Sequence, residues 1–519
     1  MLTDAALRRA VEDALALVRG RPGVLEAEVY AAATRSLFTR LNYTSHLPCN
    51  GVEEPKSAEI DGVGVRVVLD RADGPHIGFG AEPGGVSPDA AARALDKAVR
   101  SAVRDPEFRS LPRPTSERRS LADHHDPGLF AITDEGLVEA GWSLVTGGLG
   151  TFTASSRLAD LAGPDGALRP LGLVLGGDLQ IRQERVAIAS SQMPGVQADQ
   201  SAVMTAEITA MVEAHEAKGS GCMVSTRLAD CTDEAGATAA AARAIAAIGG
   251  QRVRSGDYTV ILGSQPVTDI LTNLVLPACQ AGSFYASSSP FLGKLGRRVA
   301  VPELSLWDHG ALSGFAASRG ITCEGLPTGR TDLIRDGVLV GLLSHWYETA
   351  RLLADPALGR KLGAGPSEAA RALVPRNGFR LRDGVRSFAS TPGTSATNVF
   401  LAGAAPVALD ELIARVGDGL YIGRIWYTYP INGLRAGDFT CTVVGDSWVI
   451  RDGRLAAPLK ANAIRVNDNV VRLLEHVIGV GREATPTVVW AADEVVYAPA
   501  VAVIGVHVDE IADFMDGLR

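Results

Sequence analysis

The sequence predicts an α+β chain of two domains, residues 1–252 of α/β type and residues 253–519 mainly antiparallel β. Three observations predict it. Apolar residues recur at helical spacing at the start of the chain and then at strand spacing in successive runs. An alanine-rich helix starts at Thr232 and Asp233 and stops at Gly249 and Gly250, and a fresh strand and helix begin a few residues later. Between residues 396 and 453 short apolar runs are punctuated by Gly and Asp-Gly turns, the pattern of an antiparallel sheet.

Residues 1–20 read as an amphipathic helix, residues 23–42 as a strand, and the stretch through Lys56 as a polar loop. Residues 62–70 and 76–81 are two more strands, joined by a turn at Asp73 and Gly74. Ser87 caps a helix with Pro88 in its first turn and Ala91, Leu95, Ala98 and Ala102 on one face. Residues 104–126, rich in proline and charge, read as a linker, and a helix follows from about Asp134. Residues 184–191 and 202–213 return to a strand pattern. In the second, Met204, Ala206, Ile208, Ala210 and Val212 alternate with Thr205, Glu207 and Thr209, one face buried and one wet. The domain boundary falls at residues 251–256.

The second half opens with a β-branched strand at residues 257–262. A helix then places Val267, Ile270, Leu271, Leu274 and Val275 on one buried face, with Ser264 as its cap, Pro266 near its first position and Pro277 at its end. Asp336 and Gly337 mark a hairpin turn. Residues 355–386 interrupt the β pattern and read as a surface insertion, and Val470, Leu473, Leu474, Val477 and Ile478 have the spacing of a core helix face.

Composition narrows the function classes. Hydrophobic residues make up 46% and charged residues 21%, an ordinary globular mixture, and the net charge of −9 disfavours nucleic acid and anionic membranes as general partners. No apolar run approaches the ~18 residues that span a bilayer, and the first helix mixes acids and bases throughout, so a cytoplasmic protein is expected. Six cysteines are scattered without a Cys-x-x-Cys pair and read as reduced thiols. The glycines form no phosphate-binding motif, and His215-Glu216 lacks the second histidine that a zinc helix needs.

The segment with Ser289, Phe291 and Gly296, the GVGVRV run at residues 62–67, Glu324-Gly325 after Cys323, and the ATNVFLAG and Gly437-Asp438-Phe439 stretches together resemble the TldD/PmbA (TldD/TldE) metallopeptidase-related family. In its catalytic branch the central helix carries His-Glu-x-x-x-His and binds zinc; the matching positions here are Thr272, Asn273 and Pro277. A hydroxyl, an amide and a proline offer neither the ligands nor the carboxylate base that zinc hydrolysis needs. Residues 481–500 also lack the cysteine that the catalytic branch carries near its C-terminus. The resemblance therefore implies the PmbA/TldE-like branch, with no catalytic residue, metal or cofactor in this chain and zinc expected in a TldD-like sister subunit.

Trp426, Tyr427, Thr428, Tyr429 and Asn432 lie where the family's chain passes the active cleft, and Tyr427, Tyr429 and Asn432 are the candidate substrate-binding residues, by strand addition of an extended peptide. Core and interface packing is the equally weighted alternative for this run. Arg424 and Asp438 read either as structural ion partners or as ligands for a substrate's termini. Cys279 and Cys323, with His309 and His345, could form a nucleophilic pair, but buried thiols and hydrogen-bonded histidines are the favoured reading, because free cysteine is usually a small core residue. The expected function is the non-zinc subunit of a heterodimeric peptidase acting on small or unfolded peptides. A tailoring subunit for a peptide-like metabolite and a metal-free homodimeric peptide binder are the alternatives.

Overall fold

The computed structural model describes residues 1–47, 50–121, 124–162 and 166–512. Of the six cysteines, Cys49 lies outside the described residues, and the other five are free thiols.

The N-terminal half is one seven-stranded sheet with helices on a single face. Helix α1 (Asp4–Arg19) buries Leu7, Val11, Ala14 and Val18, and Thr3 caps it by accepting from the Ala6 N–H. Strands β1 (Val24–Thr44), β2 (Gly51–Leu69), β3 (His76–Pro83) and the short β4 (Val103–Arg104) are followed by β5 (Leu173–Ser190), β6 (Gln197–Val212) and β7 (Ala217–Ser225). Their order across the sheet is β4-β3-β2-β1-β5-β6-β7, and every pairing is antiparallel, which makes this half α+β in the strict sense. Helix α2 (Pro88–Ser101) starts at Ser87, whose hydroxyl accepts from the Ala90 N–H. Helices α3 (Pro127–Ala131), α4 (Asp134–Thr153) and α5 (Ser156–Ala162) precede β5, and α6 (Ala235–Ala246) follows β7.

Strand periodicity divides the work of the two faces. Val29, Ala31, Ala33, Leu37 and Leu41 of β1 all point to the helices, the first three into a core with α1 and α2, the last two into a core with α4 and α6. Tyr30 and Ala32 point the other way, against Ile321, Cys323 and Phe379 from the second half of the chain. Glu28, Glu184, Asp199 and Glu207 share the alternation of this second face.

Named strands up to Ser225 pair only among themselves, as do those from Gly256 onward. Strand β8 (Gly256–Leu262) is interior to a nine-stranded sheet, hydrogen-bonded antiparallel to Val501–Glu510 and parallel to Gly419–Ile422. The strand Arg424–Pro430 is at that sheet's edge. A six-stranded sheet, with one parallel pairing among antiparallel ones, completes the C-terminal core.

Several expectations are corrected. The first hairpin is longer than its hydrophobicity suggests: β2 begins at Gly51, and its polar start at residues 53–59 pairs with β1 beyond the core. Residues 105–121, read as a linker, do not run free. They form a strap: Leu111 is buried, its N–H donates to Glu26 at 2.7 Å, and the strap accepts from Trp346 Nε1 at Ser110 O (3.0 Å) and from the Tyr347 hydroxyl at Asp105 (2.9 Å). Residues 355–386 are no surface insertion either, since Leu362, Phe379, Arg380 and Arg386 are buried. The helix at Val470–Glu475 gives way to a strand, Val477–Val480, because Val477 pairs with Val503. Ser264 is the first residue of helix α7 (Ser264–Ile270), after Gly263 as N-cap, and Pro277 does not end it. The helix widens into a π turn at Leu271–Val275 and continues through Ala278. Pro277 brings no N–H to the ladder and its ring crowds the carbonyl four residues back, which the wider turn accommodates.

Candidate active cleft between the sheet and the C-terminal half

The wet face of β6 does not close on the C-terminal half along its whole length. A cavity of about 470 Å³ is lined by Glu207 and by Arg243 of α6 on one side, and by Gln265, Tyr421, Arg424 and Trp426 on the other. A second, of about 500 Å³, shares Glu207, Val488, Val489 and Trp490 with the first and extends past Arg182 and Asp493. A third, of about 260 Å³, shares Arg424 and Trp426 and takes in Tyr427. Glu207 and Arg424 are therefore the residues at which three hollows become one cleft.

The local sequence explains both positions. Glu207 is on the wet side of the β6 alternation, directly opposite Asp178 on β5. Burial pushes its carboxyl up, the Arg424 guanidinium pulls it down, and Asp178 pushes it up again. Arg424 begins the edge strand, which carries a β-bulge between Trp426 and Tyr429. There Tyr427 has φ +58°, a left-handed conformation costly for an aromatic residue. The bulge turns Thr428 inward and leaves Tyr427 70% and Tyr429 54% exposed. Trp490, 74% exposed, faces Trp426 with ring centroids 6.5 Å apart.

The predicted substrate residues are thus separated. Tyr427 lines the cleft with Arg424. Asn432 donates to Asp438 at 3.1 Å and lines a different depression, with Asp257 and His507. Asp438 also accepts from Asn469 at 2.9 Å, so it is a structural partner. The cysteines and histidines do not pair with one another. Cys323 Sγ lies 3.1 Å from the Tyr30 hydroxyl, His309 Nδ1 accepts from the Ala311 N–H at 3.2 Å, and His345 Nδ1 bonds the Thr394 hydroxyl at 3.0 Å. Cys279 is fully buried and burial pushes its thiol up to about 12, far from a nucleophilic range. Glu207 was visible in the sequence only as one wet residue of an alternating strand, and Trp490, Gln265 and Arg243 carried no signal at all.

Residues 255–510 match the model of the PmbA/TldA metallopeptidase C-terminal domain. The C-terminal half of the chain belongs to the TldD/PmbA family. A metalloprotease of Synechocystis sp. is 33% identical over 184 residues, which are 35% of this chain and 33% of that protein. A metalloprotease TldD homolog of Haemophilus influenzae is 27% identical over 173 residues, 33% of this chain and 30% of that one. These matches span about a third of the curated relatives' own length. TldE from Thermococcus kodakarensis superposes with a TM-score of 0.75 over 96% of this chain and all of that one; at 16% identity this shows a common fold.

The zinc of the TldD/PmbA family does not fit the residues present. Thr272 is half-buried with its hydroxyl beside Glu494, Asn273 donates its amide N–H to the Asp269 carbonyl (3.0 Å) and carboxylate (2.9 Å), and Pro277 has no donor atom. Among the described residues no group of three or more His, Cys, Asp and Glu side chains is arranged to hold a metal ion. No helix among them is long and apolar enough to cross a membrane.

Proposed function

We propose that this chain is the non-zinc subunit of a cytoplasmic, heterodimeric TldD/TldE-like metallopeptidase, and that it holds a small or unfolded peptide while a sister chain supplies zinc, water and base. One observation carries the reading. The helix that would bear the metal is filled by Thr272, Asn273 and Pro277, with Asn273 already committed to Asp269, yet the cleft beside it stays open and lined by aromatic and charged side chains. A peptide would lie along the exposed edge of the strand Arg424–Pro430, where Tyr427 and Tyr429 stand free, pairing main chain to main chain. Asn432, held by Asp438, would bear on the far end of that edge.

Affinity purification from the native cell tests this. A stoichiometric partner bearing His-Glu-x-x-x-His, with peptidase activity in the pair and in neither chain alone, is the expected result. About one tightly bound zinc per isolated chain would sink the proposal. The tailoring reading draws on the cavity of about 470 Å³, a size that suits a compact ligand. Its signature is conversion of a peptide-like metabolite by a pair that leaves unfolded peptides intact.

A further inference from the structure

The cleft contains one guanidinium with nothing to bind. Among the described residues Arg424 makes no ion pair within 4 Å and donates no side-chain hydrogen bond, although it lines two of the hollows and lies 5.9 Å over the Trp426 ring. The carboxyls around it have other partners or other neighbours. Asp446 accepts from the Ser220 N–H and hydroxyl, Asp269 accepts from Gln265 at 3.0 Å and Asn273 at 2.9 Å, and Glu207 stands opposite Asp178. An arginine with unused donors against an aromatic wall suits a planar carboxylate.

The edge strand explains which carboxylate. The Gln265 amide imitates a strand residue: its oxygen accepts from the Ile425 N–H at 2.9 Å, and its nitrogen donates to the Ile425 carbonyl at 3.2 Å. Both outward backbone groups of Ile425 are therefore taken. A peptide added along this edge beside Tyr427 and Tyr429 has to stop at Ile425, and its last group falls next to Arg424. A cation there repels a terminal ammonium and attracts a terminal carboxylate, so the added strand runs antiparallel to Arg424–Pro430.

We propose that Arg424 seats the free C-terminal carboxylate of a short peptide, with an apolar terminal side chain against Trp426 and Tyr421, so that this subunit selects peptides by their C-terminal end. This rests on the peptide-holding role proposed above. It also corrects the simplest form of strand addition, because the edge is blocked by Gln265 at one end.

Calorimetric titration of the full chain, alone and in the complex that co-purifies with it, compares the tripeptide Ala-Ala-Phe with its C-terminal amide. The acid is expected to bind at least about tenfold more tightly than the amide. Arg424→Gln is expected to bring the ratio close to one, with Arg424→Lys in between. Thermal melts verify that both variants are folded, and the wild-type acid-to-amide ratio needs no variant. Equal affinities of acid and amide for the wild type would overturn the carboxylate seat while leaving peptide holding intact. Binding of neither would overturn both, and an acid preference that survives in Arg424→Gln would place the carboxylate elsewhere.

Discussion

The N-terminal sheet meets the second half of the chain at two places with similar residues and opposite outcomes. At the first, Glu28 is bound by Arg66 (2.7 Å) and by the fully buried Arg380. Glu184 is bound by Arg386 (2.7 Å) and Arg319 (3.3 Å), and Asp199 by Arg386 (2.9 Å) and Arg119. At the second, farther along the same face of β6, Glu207 and Arg424 are neighbours without a bond, and the space between the layers stays open. Where each carboxylate is bound by two arginines, the sheet and the C-terminal half are welded. Where a carboxylate and an arginine stay apart, the molecule keeps capacity for a ligand.

The strongest way to break this contrast is Arg386→Gln. It takes one of two arginine partners from each of the buried carboxylates Glu184 and Asp199 and should cost about 3–5 kcal/mol in denaturant unfolding. A loss below about 1 kcal/mol would show that the weld is not one.

Acid should act on the same place. Burial alone would push the Glu184 carboxyl up, but Arg386 and Arg319 hold it down to about 2. A folded-state value below the unfolded one contributes stability that is present above the ordinary carboxylate range and is lost as pH falls toward 2. Asp308 has the opposite sign: burial raises it to about 6 despite bonds from Thr397 and Asn377, so its contribution is present below the ordinary aspartate range and lost as pH rises through 6. Stability followed from pH 7 downward should show both slopes, with Glu184→Gln removing the acid-side loss. A wild-type acid limb in that variant would contradict the assignment.

Arg424→Gln sharpens the comparison from the other side. With no ion pair to lose, it should change unfolding free energy by less than about 1 kcal/mol. A loss like that of Arg386→Gln would mean that the cleft arginine is structural.

The smallest effect belongs to Tyr427→Gly. Relief of the left-handed conformation and loss of backbone restriction oppose each other, so stability should stay level or rise by up to about 1 kcal/mol, while peptide affinity falls. Clear destabilisation in urea would show that the exposed ring packs more than its 70% exposure implies.

The same contrast explains what was legible in the sequence. Helices α1 and α2, the Ser87 cap, the alternation of β6 and the strand at residues 257–262 all follow from local spacing, and the structure has each of them. Glycine-rich motifs carried the family resemblance. Residues 355–386 were misread because they interrupt the β pattern, and nothing local reveals that Arg380 and Arg386 meet carboxylates far up the chain. Glu207 and Arg424 were legible as residue types but not as neighbours. Gln265 shows a subtler limit, since a helix glutamine that imitates a strand leaves no pattern at all.

The weld also bears on how the chain is made. Glu28 lies 352 residues ahead of Arg380, and Asp199 lies 187 ahead of Arg386. A ribosome therefore exposes the carboxylate face of the sheet with only Arg66 and Arg119 as partners, long before Arg319, Arg380 and Arg386 exist. Until residue 386 has left the exit tunnel, Glu184 has none of its arginines secured in place, and the sheet cannot seal its second face. Synthesis of the first half alone should yield a chain that waits, open on one side, for a sequence not yet translated.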